Sequence, residues 1–199
     1  MTTIMDRLLL PLPLRFDPRR LEEDLIRLEG LDWTDHFVKQ NYEGSWSVIP
    51  LRAPAGEEHI IRMIYSDPSC REFVDTPFLL ACPYFREVLA AFRAPLAAVR
   101  LMKLTPGSII KEHTDYHLAP EHGTIRLHIP VITNPGVDFR LNRTPVAMKP
   151  GECWYLRLSD PHSVENHGET DRVHMVIDAA VNEWMENLLS RETVAEDRM

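Results

Sequence analysis

The chain is poor in cysteine, in glycine and in positive charge. Its 199 residues include three cysteines, Cys70, Cys82 and Cys153, and no C-x-x-C pair. An odd, unpaired set of this kind offers neither a zinc spacing nor a disulfide framework. It reads as small buried apolar side chains in a reducing compartment. Lysine and arginine total 22 against 30 aspartates and glutamates, a formal charge of −8. That deficit argues against nucleic acid or an anionic membrane surface as partner. Eight glycines against sixteen prolines suggest rigid loops and many strand ends rather than long helices. The apolar run 8–14 is short and broken by Pro11 and Pro13, so neither a signal peptide nor a membrane span is expected. The cytoplasm is the expected location. The sequence has no internal repeat and no low-complexity block.

What is present is an ordinary globular composition, 44% hydrophobic and 26% charged. The length suits one domain with a core large enough to need no staples. Residues 8–16 read as a strand leading into a helix, with Asp17 as N-cap, Pro18 at its first position, Leu21, Leu25 and Leu28 as its apolar stripe and Gly30 as its stop. Segments 44–51 and 58–65 read as strands. A second helix is expected over 83–92, with Phe85, Val88, Leu89 and Phe92 on one face. From residue 97 the pattern changes. Short β-branched or aromatic segments over 97–104, 108–115, 124–132, 136–141, 145–148, 152–158 and 172–179 alternate with Pro-Gly, Asn-Pro-Gly and His-Gly turns. Such spacing predicts an all-β sandwich or barrel. Residues 181–190 read as a terminal helix with Trp184 and Leu188 inward, followed by a frayed polar tail to Met199.

Chemistry concentrates in the barrel segment, where seven of the nine histidines fall between His113 and His174. In His113-Thr114-Asp115 the first and third residues point to one side of a strand. With His162 arriving from a strand distant in sequence, delivered by the loop that follows the 152–158 segment, two imidazoles and a carboxylate would occupy one face of an octahedral ion and leave the other open. That donor set belongs to non-haem Fe(II) oxygenases. Alternation from Ser108 puts Lys111, His113 and Asp115 on the inner face and Ile110 and Glu112 on the other. Arg172 sits far enough beyond His162 to open the next strand and present a guanidinium fork to a carboxylate. Arg126 and His128 share the same i, i+2 spacing. Each has a structural alternative: a core histidine for His128, and an ion pair with a carboxylate such as Glu112 for Arg126. His174 is in phase with Arg172 and is expected to be structural. His117 and His122 are expected in a solvated loop, and Trp46 and Trp154 in the core.

Three blocks carry a family resemblance: Glu112-His113-Thr114-Asp115-Tyr116, Ile125-Arg126-Leu127-His128-Ile129-Pro130, and the run from Gly151-Glu152-Cys153-Trp154 through Pro161-His162-Ser163-Val164-Glu165-Asn166 to Arg172-Val173-His174-Met175-Val176-Ile177-Asp178. Together they resemble the aspartyl/asparaginyl β-hydroxylase family of Fe(II)/2-oxoglutarate dioxygenases, in the style of the bacterial proline cis-hydroxylases. The resemblance implies a double-stranded β-helix, a jelly-roll or cupin-like barrel, with a few flanking helices. It implies one dioxygenase domain over 1–199: supporting strands and helices over 1–96, the metal-binding core over 97–180, and a terminal helix and tail over 181–199. His113, Asp115 and His162 match the iron ligands. Arg172 matches the residue that grips the distal carboxylate of 2-oxoglutarate. His128 and Arg126 match contacts to co-substrate or substrate carboxylates, and Arg100 matches an active-site arginine of the proline hydroxylases. Fe(II), 2-oxoglutarate and O2 are the implied cofactor and co-substrates, and the implied substrate is a carboxylate-bearing small molecule such as an amino acid or short peptide. Two departures bear on the substrate. Animal aspartyl hydroxylases replace the metal-binding carboxylate with glycine, whereas Asp115 is present, which points to the small-molecule branch. The proline cis-hydroxylases continue into a C-terminal helical region without a counterpart here, which points away from proline. A cupin-type module that binds metal or metabolite without turnover is the alternative reading, and the oligomeric state is left open.

Overall fold

The computed structural model describes residues 8–28, 30–31, 33–65 and 69–190; the expected frayed tail 191–199 lies outside them. The architecture follows from period-two alternation in three long strands. In β8 (Thr124–Ile132), Ile125, Leu127, Ile129 and Val131 enter one core, while Arg126 and His128 line a cavity on the other face. In β13 (Arg172–Ala180), Val173, Met175, Ile177 and Ala179 alternate with Arg172, His174, Val176 and Asp178. In β6 (Leu96–Leu104), Val99 and Leu101 alternate with Arg100, Met102 and Leu104. These strands are neighbours, so their polar positions fall on one face.

The larger sheet runs β1 (Leu9–Arg15), β11 (Glu152–Leu156), β8, β13, β6, β4 (Trp46–Pro54) and β2 (Thr34–Asp35), with β5 (Phe73–Asp75) also on β4. The smaller sheet runs β10 (Thr144–Pro145), β9 (Val137–Leu141), β12 (His162–Asn166), β7 (Ile109–His113) and β3 (Tyr42–Glu43). All strand pairs among the described residues are antiparallel. Met102, Leu104 and Val176 of the larger sheet pack with Ile110, Phe139, Leu141 and Val164 of the smaller one, which makes the barrel interior. The outer face of the larger sheet packs against α1 (Pro18–Arg27), α3 (Pro77–Leu80), α4 (Pro83–Ala90) and α5 (Glu183–Ser190). A fully buried Leu such as Leu127, Leu101 or Leu21 contributes roughly 1.5–3 kcal/mol each. The result is the double-stranded β-helix expected from the sequence.

The helix signals act as read. Asp17 Oδ1 accepts from Arg19 N at 2.9 Å, Pro18 opens α1, and Gly30 follows it at φ +83°. Buried Asp24 adds a link that the apolar stripe alone did not show: its Oδ2 accepts from Phe85 N at 2.8 Å, capping α4 from a neighbouring helix. No helix among the described residues is long and apolar enough to cross a membrane.

Four local expectations need correction. The segment 145–148 is not a strand beyond its first residue, since β10 is only Thr144–Pro145 and 146–148 are irregular. Residues 58–65 are not a strand: Glu57 Oε1 accepts from the backbone N–H of Glu58 and His59, and a short helix, α2 (Ile60–Ile64), follows. The apolar run Ile60-Ile61 fits either period, and the turn closed by the Glu57 side chain just before it breaks the extended path. His162 is not delivered by a loop; it begins β12 and pairs with His113. Finally, β7 does not keep strict alternation. His162 faces His113 and Val164 faces Ile110, so two steps on β12 oppose three on β7. This bulge re-phases the strand. Ile110 and His113 therefore line the same cavity, while Lys111 turns outward to Glu43 at 2.9 Å.

Candidate metal centre

The bulged end of β7 brings three donors together. The rings of His113 and His162 lie 4.3 Å apart, and Asp115, just beyond β7, is tied down by its N–H to the Leu158 carbonyl at 2.8 Å. One donor atom from each of His113, Asp115 and His162 lies within 4.8 Å of the other two. The hydrogen bonds fix which atoms those are. His113 Nδ1 is 2.7 Å from the Lys111 carbonyl, and His162 Nδ1 is 3.0 Å from the Asp160 carbonyl. A carbonyl only accepts, so both rings carry their proton on Nδ1 and present the Nε2 lone pair. Burial, and then the neighbouring His113, push the His162 pKa down to about 4, which keeps it in the neutral, metal-binding form. Asp115 is split: Oδ2 accepts from Arg126 Nη1 at 2.5 Å, and Oδ1 lies 3.8 Å from His113 Nε2. Two imidazole nitrogens and one carboxylate oxygen on one side of a cavity suit a divalent iron with open positions.

Behind the triad lies a buried ion network. Arg126 donates through Nε and Nη2 to Asp178 at 2.6 and 3.0 Å, and Arg100 Nη2 donates to Asp178 Oδ2 at 2.5 Å. Arg126 does not pair with Glu112, which meets Arg143 instead at 3.4 Å. Neither Arg126 nor Arg100 is a spare cation, because Asp178 and Asp115 balance them. Asp178 is a partner to which the sequence reading assigns no role. Its signal was a lone acid in the otherwise apolar second half of β13.

Arg172 is different. It is 2% exposed, and among the described residues it has no acidic partner. Nη2 donates to His174 Nδ1 at 2.8 Å, while Nε is buried without a hydrogen-bond partner there. Burial pushes its pKa down to about 9, so it remains charged at neutral pH. His174 thus orients Arg172, the structural role expected of it. His128 lies beside this pair, its Nδ1 3.4 Å from His174 Nδ1 and its Nε2 buried without a partner among the described residues. Burial holds both imidazoles neutral, with pKa values well below the ordinary range. The triad, Arg126, His128 and Arg172 line one cavity of about 750 Å³. His117 and His122 are exposed on its rim, while His36 and Trp46, to which the sequence assigned no site role, line its wall.

Comparisons with known proteins give the family and the fold. The sequence model of the aspartyl/asparaginyl β-hydroxylases matches residues 20–181. The chain is 28% identical over 178 residues to an L-proline cis-4-hydroxylase of Rhizobium meliloti, covering 88% of this chain and 61% of that protein. It is 24% identical over 173 residues to L-proline cis-3-hydroxylase 2 of a Streptomyces, covering 84% and 58%. The chain therefore spans about three fifths of the length of the curated relatives it matches. HygX of Streptomyces hygroscopicus, crystallised with nickel and 2-oxoglutarate, shares the fold with a TM-score of 0.56 at 13% identity, over 88% of this chain and 84% of that one. A family match spanning β1's neighbouring helix to the end of β13 takes in the triad and every buried arginine of the cavity, and the chain belongs to the aspartyl/asparaginyl β-hydroxylase family.

Proposed function

We propose that this chain is an Fe(II)- and 2-oxoglutarate-dependent dioxygenase that hydroxylates an unactivated C–H of a carboxylate-bearing small molecule, an amino acid or short peptide. The single observation that carries the proposal is the pairing, in one cavity, of a two-histidine, one-carboxylate donor set with a buried arginine that has no acidic partner among the described residues. His113 Nε2, His162 Nε2 and Asp115 Oδ1 hold the ion. Arg172 takes the distal carboxylate of 2-oxoglutarate. A bidentate anion there relieves the cost of a desolvated, uncompensated guanidinium. His128, neutral and with an unused ring nitrogen, is placed to assist. Iron bound with 2-oxoglutarate and O2 supplies the oxidising chemistry, while the chain supplies orientation and exclusion of water.

The remaining charges bear on the substrate. Arg100 and Arg126 against Asp178 and Asp115 sum to zero. Arg172 and the metal leave the cavity positive inside an acidic protein, which favours anionic ligands. Because Asp178 and Asp115 offset their charge, Arg126 and Arg100 are proposed to meet a substrate carboxylate as hydrogen-bond donors on the cavity wall rather than as uncompensated cations, with Arg126 also facing the co-substrate side. The proline hydroxylases among the relatives support an amino-acid substrate.

The test is an anaerobic titration of the Fe(II)-loaded chain with 2-oxoglutarate, followed by aerobic assay of succinate with amino acids and dipeptides. A weak visible charge-transfer band and substrate-dependent succinate are expected. A band without succinate for any candidate would identify a binding module instead.

A further inference from the structure

The rim of the cavity is aromatic. Among the described residues three aromatic side chains are exposed, Phe37, Tyr65 and Tyr116, and all three line this one cavity. Scattered exposed apolar residues need no explanation, but a cluster at a cavity mouth does. Phe37 and Tyr65 meet edge to face at 5.7 Å and 71°. From Phe37 the row continues inward. His36 stacks on Phe37 at 4.7 Å and 20°, and on Trp46 at 3.6 Å and 9°; the Trp46 ring lies 6.4 Å from that of His113. A backbone bond fixes the row, since His36 N donates to the Trp46 carbonyl at 2.8 Å where β2 leaves β4.

This row also carries unused donors. Val38 N–H donates to His36 Nδ1 at 3.3 Å, so the neutral ring holds its proton on Nε2, which makes no hydrogen bond among the described residues. Burial first, and then the Arg100 cation, push the His36 pKa down to about 3, so the ring stays neutral. Trp46 Nε1 is likewise buried without a partner. A buried N–H without an acceptor costs free energy unless something supplies one. The cavity, at about 750 Å³, falls in the range that accommodates drug-sized ligands, room for the co-substrate beside a substrate larger than the smallest amino acids.

We propose that Tyr65, Phe37, His36 and Trp46 form a substrate-recognition wall that takes a flat or bulky apolar group, so that the substrate is an amino acid or short peptide bearing an aromatic or similarly large apolar side chain. The inference rests on the hydroxylase reading above. Phe37 and Tyr65 offer ring faces, and the N–H groups of His36 and Trp46 meet the polar acceptors flanking that side chain.

The experiment compares glycine, L-alanine, L-proline, L-leucine, L-phenylalanine and glycyl-L-phenylalanine with the Fe(II)-loaded chain. It reads succinate formation, and anaerobic calorimetry gives substrate and 2-oxoglutarate affinities. The ring-bearing compounds should show a KM at least about tenfold below that of glycine or alanine. Phe37→Ala and Tyr65→Ala alter exposed side chains, so folding is preserved. Each should raise KM for the ring-bearing compounds by up to about tenfold and leave the 2-oxoglutarate Kd unchanged. His36→Phe retains the stack, removes the donor and should also raise KM. A dipeptide preference over L-phenylalanine would identify the peptide as the source of the ring. Succinate formed equally well with small amino acids, or variants that shift every substrate alike, would overturn the aromatic wall and leave the hydroxylase reading standing. Failure to bind 2-oxoglutarate at all would overturn both.

Discussion

Asp178 lies directly across the strand pair from Arg126 and accepts two of its guanidinium N–H groups, at 2.6 and 3.0 Å. The same guanidinium holds Asp115 Oδ2 at 2.5 Å. The orientation of one donor of the candidate metal centre is thus set through Arg126 by a residue on the last strand of the barrel, which Arg100 braces in turn at 2.5 Å. Such outer partners hold a ligand in one rotamer and leave a single oxygen for the ion.

Asp178→Asn is the direct probe of that relation. It leaves Arg126 with Asp115 as its acidic partner in this network and takes from buried Arg100 the carboxylate to which it donates. Breaking a buried ionic network by removing one partner costs about 3–5 kcal/mol, readable as a fall in unfolding free energy by urea. Affinity for Fe(II) or Co(II), measured by calorimetry, should fall about tenfold or more. Metal affinity equal to that of the parent would mean that Asp115 is positioned without Arg126.

Asp115→Ala should remove tight divalent-metal binding while costing less stability than Asp178→Asn, because Arg126 keeps both its bonds to Asp178. Metal titration beside urea denaturation separates the two effects. Retained affinity would discard the triad.

Arg172→Met should act in opposite directions on stability and binding. The ligand-free chain bears the cost of a desolvated cation without an acidic partner among the described residues, and an apolar side chain of similar length relieves it. The melting temperature of the ligand-free protein should hold or rise. The thermal shift on adding 2-oxoglutarate should vanish, with a loss of about 2–5 kcal/mol in its binding. A preserved shift would place the distal carboxylate elsewhere.

Acid should destabilise the metal-free fold through its neutral histidines. His162 and His36 titrate at about 4 and about 3, and His128 and His174 well below their ordinary value of 6.5, burial being the leading cause in each. The unfolded chain therefore binds more protons between pH 6.5 and the folded-state values, and stability rises with pH across that window. The urea midpoint should be flat above about pH 7 and fall steadily as the pH drops from about 6.5 toward 4. Equal midpoints at pH 8 and pH 5 would contradict the burial of these rings as neutral groups.

Gly151→Ala tests the turn that starts β11. Gly151 has φ +80°, and an added Cβ would meet the Phe16 carbonyl oxygen at 2.1 Å, a backbone atom that cannot step aside. A loss of about 1–3 kcal/mol is expected from the backbone conformation alone. Circular dichroism melting measures it, and an unchanged melting temperature would rule out the strain.

Much of this was legible in order along the chain. Asp17-Pro18 and Gly30 marked α1, and residues 172–179 read as a strand with His174 in phase with Arg172. The β7 phase was not legible, because a bulge is a property of the pair: it appears only when His113 meets His162 and Ile110 meets Val164. For the same reason the segment 162–166 was not legible as the strand that carries His162, since five residues between turns show it only once they pair with β7 and β9. The ion pairs of Arg126 and Arg100 were not legible because their shared partner, Asp178, comes from a strand far along the chain.

The sequence by itself determined the residue types of the metal centre, the family to which they belong and the strand periodicity that turns Arg126, His128 and Arg172 to the interior. These depend on local spacing and side-chain chemistry, which a linear chain displays. Only the tertiary structure decided which cations are neutralised and which is left waiting for an anion, which oxygen of Asp115 faces the histidines, and that His36 and Trp46 wall the cavity. Charge pairing and ring stacking act over a few ångströms of space, and antiparallel pairing brings residues from opposite ends of the chain within that reach.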